Sequence, residues 1–272
     1  MKIACMQVPP VGQDVPAALS LLEAQARAAR AEGCTVLVTP EMYLSGYNIG
    51  AEAVARLAEL QDGPMAKAVA SIARREGIAI LFGFPERAPE DGRVYNSVQL
   101  VDAAGQVRCT YRKTHLFGEV DASQFSAGDR LSPVVELDGW RVAVAICFDI
   151  EFPELARAHA LAGAEVLLVP TANMIPYLSV PRRLVPARAE ENGVFIAYAN
   201  YTGQEDAFAY CGLSCICDPS GTDLARAGET ETLINATLHR ARIAEARRGV
   251  NYLRDRRPSL YNPATGKDAP HG

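Results

Sequence analysis

Short runs in which every residue is apolar recur along the chain, separated by alanine-rich stretches of helical spacing. The longest clean run, Val142 to Phe148, and the stretch Ile78–Phe84 (IAILFGF) read as strands buried on both faces, because a strand with one wet face alternates polar and apolar residues. Residues 2–7, Thr35–Thr39, Val166–Val169, Val194–Asn200 and Leu213–Cys217 read as further strands, the last followed by a turn at Pro219-Ser220-Gly221. Between the strands, residues 14–31 read as a helix. Asp14 can cap it, Leu19, Leu22, Ala26 and Ala29 fall near a 3.6-residue period, and Gly33 ends it. Residues 63–75, Pro153–Ala162, a stretch around 179–192 and a charged stretch near 238–248 read the same way, the last leading into an irregular tail.

Two hairpins are expected. One joins 94–101 to 106–112 through Asp102–Gly105, and the other joins Val134–Leu137 to Arg141–Ile146 through Asp138-Gly139. Hairpins mixed with strand–helix–strand crossovers, without linker, repeat or low-complexity stretch, predict an α/β chain folded as one domain over 1–272. Its sheet is mixed, or there are two sheets, covered by helices.

Composition narrows the function. Lys and Arg number 27 against 32 Asp and Glu, a net charge of −5, and no long basic run exists, which argues against a nucleic-acid partner. No apolar run approaches the roughly 18 residues of a membrane helix, so no membrane partner is expected. The start MKIACMQVPP does not read as a signal peptide. Seven irregularly spaced cysteines, in a chain large enough to bury its own core, predict reduced thiols and a cytoplasmic location.

The phosphate loop GxxxxGK[ST], the dinucleotide fingerprint GxGxxG, the zinc motif HExxH and the serine elbow GxSxG are all missing from the sequence. The four histidines (115, 159, 239, 271) are scattered. Cys211, Cys215 and Cys217 lack a second ligand pair and read as small apolar residues rather than metal ligands. No cofactor and no metal are expected.

Three strand ends carry reactive groups followed by chain breakers. In TVLVTPEMYLSGYN a buried strand stops at Pro40, which puts Glu41 at the mouth of a sheet beside Met42, Tyr43 and Leu44. Burial there raises a carboxyl pKa toward that of a useful general base. In RCTYRKTHLFGE a strand ends in Arg112, Lys113 and His115. In RVAVAICFDIEFPEL an apolar strand ends at Cys147, ahead of a proline-started helix whose free N–H groups would favour a thiolate. Taken singly, each has a plain structural reading: a solvated loop acid, a basic strand edge and a core cysteine.

Together these three stretches resemble the nitrilase superfamily of carbon–nitrogen hydrolases. Gln7, GFPER at 83–87, YNS at 95–97, RAEEN at 188–192, Asn200, GLSCICDPSG at 212–221 and the DRRPSLY tail extend the likeness in the same order over nearly the whole chain. The resemblance implies a four-layer αββα sandwich. It also implies a triad in which Glu41 is the base, Lys113 the electrostatic donor and Cys147 the nucleophile attacking an amide carbon to form a thioester. Lys113 and the backbone N–H of Phe148 would hold the oxyanion. A supporting carboxylate is implied as well: Asp121, by its register to the turn Phe125-Ser126-Ala127-Gly128-Asp129, or Glu119 two residues earlier. Members commonly pair through helical faces, so a homodimer or higher homo-oligomer is expected, with the tail from about Arg248 crossing to a partner.

The substrate expected is a small neutral or hydrophobic carboxamide, contacted by Tyr47, Phe117, Phe148, Asn173, Met174 and Tyr177. GYN at 46–48 with HLFG at 115–118 is similar to the bacterial aliphatic and stereoselective amidases. A nitrilase usually has a longer C-terminal region and a tryptophan after its cysteine. An N-carbamoyl amino acid amidohydrolase would want basic residues after the 166–170 strand, where this chain has the largely neutral Thr171–Tyr177. Two other classes compete: a Cys–His hydrolase using Cys147 with His115, and a non-catalytic binding or assembly module.

Overall fold

The computed structural model describes residues 1–265, with side chains through Tyr261. The first sheet is built from β1 (Lys2–Gln7), β2 (Val36–Val38), β3 (Ala79–Arg87), β4 (Val94–Val101) and β5 (Val107–Arg112). The second takes β6 (Val135–Leu137), β7 (Trp140–Val144), β8 (Val166–Pro170) and β9 (Phe195–Ala199). After a separate hairpin of β10 (Thr202–Glu205) and β11 (Phe208–Cys211), it adds β12 (Cys215–Cys217) and β13 (Asp223–Arg226). The chain then returns to the first sheet as β14 (Thr232–Thr237), antiparallel to β1. The six-stranded orders are β14-β1-β2-β3-β4-β5 and β13-β12-β9-β8-β7-β6. Starting from β14 and from β6, both sheets pair antiparallel, parallel, parallel, antiparallel, antiparallel. The sequence shows no repeat, yet the pairing pattern is used twice.

Alternation along these strands separates three cores. Ile3, Val36, Val38, Leu81, Val98 and Leu100 face Val142, Val144, Val166, Leu168 and Phe195 between the sheets. The opposite faces pack on helices. Ala4, Met6, Leu37, Ile80 and Phe82 meet Ala18 and Leu22 of α1 (Val15–Ala31) and, beyond the short α2 (Ala51–Leu57), Val69 and Ile72 of α3 (Pro64–Glu76). The short α4 (Gly118–Ala122) follows β5. On the second sheet, Ala143, Leu167, Val169, Ile196 and Tyr198 meet Leu155 and Ala156 of α5 (Pro153–Leu161) and Val185 and Ala189 of α6 (Val185–Asn192). The result is the expected αββα sandwich of two mixed sheets. Runs apolar at every position are what its strands require, since each sheet is covered on both faces.

Several local expectations shift. Asp14 caps α1, accepting from the Ala17 N–H at 3.0 Å. The helix expected over 179–192 begins with one wider turn in which the Val185 N–H reaches Val180 O, because Pro186 has no N–H to continue a regular helix. The tail is not irregular as far as it is described. After α7 (Ala241–Gly249), Asn251 caps α8 (Tyr252–Asp255) by accepting from the Arg254 N–H at 3.0 Å, and Pro258 starts α9 (Pro258–Thr265). His271 and the end of the tail, 266–272, lie outside the described residues. Among the described residues no helix is long and apolar enough to cross a membrane.

Candidate active site

The parallel strands β2, β7 and β8 end at the same edge of the sandwich, and the three reactive groups singled out in the sequence meet there. Glu41 follows β2, and its N–H donates to Thr171 O beyond β8 at 3.2 Å, tying the two sheets together. Lys113 follows β5. Strand alternation separates it from its neighbour: Arg112 turns outward to Glu86 (2.6 Å) and over the Tyr95 ring, whereas Lys113 turns inward and is fully buried. Two glycines permit this placement. A Cβ on Gly83 would lie 2.3 Å from the Met42 N, and one on Gly128 would lie 2.5 Å from Arg112 O, so neighbouring backbone packs directly against the residues flanking Glu41 and Lys113.

Lys113 Nζ donates to Glu41 Oε1 at 2.7 Å and to Asp121 Oδ2 at 2.6 Å, with all three side chains fully buried. Of the two acids expected near this lysine, Asp121 is the one that reaches it, and Glu119 is exposed. The short Asp side chain reaches because α4 carries it inward, where it also accepts from the Phe117 N–H at 2.8 Å. Asn96, which the sequence reading did not select beyond the YNS likeness, donates to Glu41 Oε1 at 2.7 Å. That leaves Glu41 Oε2 buried and without a partner. The Tyr47 ring lies 5.6 Å from Lys113 Nζ. Its loop is held by Glu205, which accepts from the Tyr47 and Asn48 N–H groups and from the Tyr210 hydroxyl.

Cys147 does not open the helix. It begins a single tight turn, Cys147–Glu151, and α5 starts only at Pro153. Its φ of +46° is a strained setting for a residue with a side chain, held by Asp149 two residues on. The Asp149 carboxylate accepts from the Ile146 N–H (3.0 Å), the Tyr111 hydroxyl (2.8 Å), the Thr114 hydroxyl (3.0 Å) and the His115 N–H (3.0 Å). His115 Nδ1 is also 2.8 Å from Asp149, and the ring stacks on Phe152. The His115 ring is therefore engaged by Asp149, while the charges that bear on the thiol are Glu41 and Lys113. This geometry goes against the Cys–His alternative. Replacing Asp149 by alanine strands several buried donors at about 1–3 kcal/mol each. We expect a loss of at least 3 kcal/mol of stability by denaturant unfolding, together with loss of activity.

Burial pushes the Cys147 thiol well above its usual pKa and Glu41 adds to this, against Lys113, the Thr171 hydroxyl and the Ala172 amide. The direction favours the thiol over the thiolate before substrate arrives. Burial likewise raises Glu41, with Lys113 opposing and Asp121 reinforcing. Burial works against the Lys113 ammonium, but Glu41, Asp121 and Cys147 outweigh it and hold the amine protonated far into the alkaline range.

A small hollow opens onto Cys147. Tyr47, Phe117, Asn173 and Met174 line it as expected, and so do Ala172 and Glu151, which the sequence reading passed over. Phe148 and Tyr177 are not in its wall; both pack edge-on against Phe117, at 5.3 and 5.5 Å between ring centres. Asn200 fixes the floor by accepting from the Asn173 N–H (2.8 Å) and donating to Asn173 O (3.1 Å). Elsewhere, Cys215, Cys217 and Asp223 cluster, but Arg226 already holds both Asp223 oxygens at 2.6 and 2.7 Å.

Comparison with known proteins gives the family of the chain. The carbon–nitrogen hydrolase family model matches residues 2–248. A protein described as a hydrolase in the pqqF 5′ region of Pseudomonas protegens is 55% identical over 96% of this chain and 91% of its own. An (R)-stereoselective amidase of a Pseudomonas species is 39% identical over 97% of this chain and 94% of its own. Among solved structures, an amidase from Nesterenkonia sp. AN1, with one cysteine changed to alanine and in complex with butyramide, superimposes with a TM-score of 0.83 at 32% identity, covering 97% of this chain and 96% of that one. The same amidase has also been solved with acrylamide added to its active-site cysteine.

Proposed function

The chain belongs to the carbon–nitrogen hydrolase family of the nitrilase superfamily, and from that premise we propose that it hydrolyses small carboxamides to the acid and ammonia through a thioester on Cys147. The observation that carries this reading is the buried Lys113 ammonium shared by Glu41 and Asp121, beside a thiol that opens onto a small hollow.

The division of labour follows from valence. Glu41 Oε1 is occupied by Lys113 and Asn96, so the unpartnered Oε2 is the oxygen that takes a proton. As the Cys147 sulfur attacks the amide carbon, its proton passes to Oε2 and the carbonyl oxygen becomes an oxyanion. Lys113 has three N–H bonds; two go to the carboxylates and the third is free for that oxyanion. The Phe148 backbone N–H, which donates to no carbonyl among the described residues, is the second donor. The tetrahedral species collapses, its C–N bond breaks, and Glu41 returns the proton to the departing nitrogen. Water then attacks the thioester while Glu41 accepts its proton, and the acid leaves as the thiol is restored.

A neutral resting thiol suits this scheme, because a base of raised pKa is a better proton acceptor at the moment of attack. Size and polarity favour short aliphatic acyl groups, and the butyramide bound by the Nesterenkonia amidase is of that class. No lysine or arginine lines the hollow, so an N-carbamoyl amino acid would find no cation for its carboxylate.

The test is ammonia release from butyramide and its homologues, run beside nitriles and N-carbamoyl amino acids. Amides should lead by at least about tenfold; nitriles or carbamoyl compounds leading, or no ammonia from any amide, would overturn the reading. The pH dependence has a definite sign. Glu41 must be ionised to act, so kcat/KM is present above its raised pKa and is lost as pH falls through it. The acid limb should lie above the ordinary glutamate value of about 4.3. A limb at or below that value would contradict Glu41 as the base.

A further inference from the structure

One wall residue of the hollow has no part in the chemistry above. Glu151 closes the same tight turn that Cys147 opens, and its half-buried side chain borders the hollow. Its carboxylate makes no hydrogen bond or ion pair to any described residue, although two cations stand near enough to act on it. Both are committed elsewhere. Lys113 is held by Glu41 and Asp121. Arg188 is spent on the Ile150 and Glu151 carbonyls (3.1 and 2.8 Å) and on Glu191 (3.2 Å). Burial raises the Glu151 carboxyl pKa, with Lys113 and Arg188 drawing it back.

Behind the hollow one ammonium, Lys113, is already shared by Glu41 and Asp121, while Glu151 in the wall is an acidic side chain with both oxygens unengaged. A primary amide carries nothing on its nitrogen, so any further group of the substrate must extend from the acyl carbon along this wall. We infer that Glu151 is a specificity-determining residue that favours amides bearing a protonated amine on the acyl chain and disfavours amides bearing a carboxylate there. This rests on the amidase reading, and it narrows that reading to a charge class. A charge-assisted hydrogen bond to a partly desolvated carboxylate supports a preference of about 10- to 100-fold.

The probes are short aminoalkanamides, the alkanamides with methyl in place of ammonium, and succinamate. In the unmodified enzyme the best aminoalkanamide should exceed its methyl counterpart by about 10- to 100-fold in kcat/KM, with succinamate slowest. Glu151→Gln should shrink that ratio to about threefold or less, whatever its common effect on both substrates, and raise succinamate relative to the rest. The exchange is nearly isosteric, and Arg188 grips the Glu151 backbone rather than its side chain. A methyl counterpart equal or better in the unmodified enzyme, or a ratio that survives Glu151→Gln, would overturn the inference. The same ratio read as binding affinity by calorimetry in Cys147→Ala, with and without Glu151→Gln, keeps the two readings separable. If no amide is turned over the amidase proposal fails, while these affinities still decide the role of Glu151.

Discussion

Cys147→Ala should lower amide turnover by about 10⁴- to 10⁶-fold, the scale on which removal of a covalent nucleophile acts, while leaving the fold in place. The two expectations are independent. Alanine accepts the +46° φ of this position no worse than cysteine does, since both carry a Cβ. Loss of the sulfur should cost little either: the Thr171 hydroxyl keeps the Tyr198 hydroxyl at 3.2 Å, the Ala172 amide that loses the sulfur belongs to a residue bordering the hollow, and Asp149 still holds the turn. Stability should therefore change by no more than about 1 kcal/mol. A variant that retains activity within tenfold would place the chemistry elsewhere, whereas one that unfolds would show that the thiol is structural. The other cysteines offer no rival: Cys5, Cys34, Cys109, Cys211, Cys215 and Cys217 are all buried, and Cys147 alone is partly open.

Lys113→Met should be damaging in a different way. Its chain length is close to that of lysine, but the ammonium is gone, and Glu41 and Asp121 are left buried without a counter-ion. Breaking a buried pair from one side costs about 3–5 kcal/mol, so a fall in melting temperature of roughly 5–9 °C is expected at neutral pH for a chain of 272 residues. The pH dependence identifies the cause. Without Lys113 the Glu41 carboxyl keeps burial and Asp121 raising its pKa and loses the ammonium that opposed them, so its protonation favours folding. The lost stability should return as pH falls toward the unfolded glutamate value near 4 and stay absent above the raised one. A deficit that does not vary with pH would point to packing rather than charge. Activity should fall with the ammonium, because one oxyanion donor is typically worth 10²- to 10³-fold.

Much of this was legible in the sequence. Apolar runs without alternation announce strands covered on both faces, and Glu41 and Cys147 stand just past such runs, next to a proline and an aromatic, whereas Lys113 follows the alternating strand β5. What escaped has physical reasons. β14 is mostly half-exposed with its apolar residues out of alternation, β10 is polar, and the apolar β11 is only four residues long, so none carries a periodic signal. Asn96 lies inside an ordinary strand, and only the antiparallel register of β3 and β4 brings it to Glu41. Asp149 and Glu151 sit two apart in one turn and look alike as letters. Only the coordinates show one saturated with donors and the other free in the wall of the hollow. The helix N–H groups expected to favour a thiolate lie farther off than the letters suggest, because the turn at Cys147 interposes residues before α5, and burial works against the nearby ammonium.

The most direct test of the central claim is peptide mass mapping after rapid acid quench during turnover of a short-chain amide. The account predicts an acyl mass increment, labile to hydroxylamine, on the peptide that contains Cys147 and on no other. An increment on a different cysteine, or sustained ammonia release with Cys147 never acylated, would contradict it.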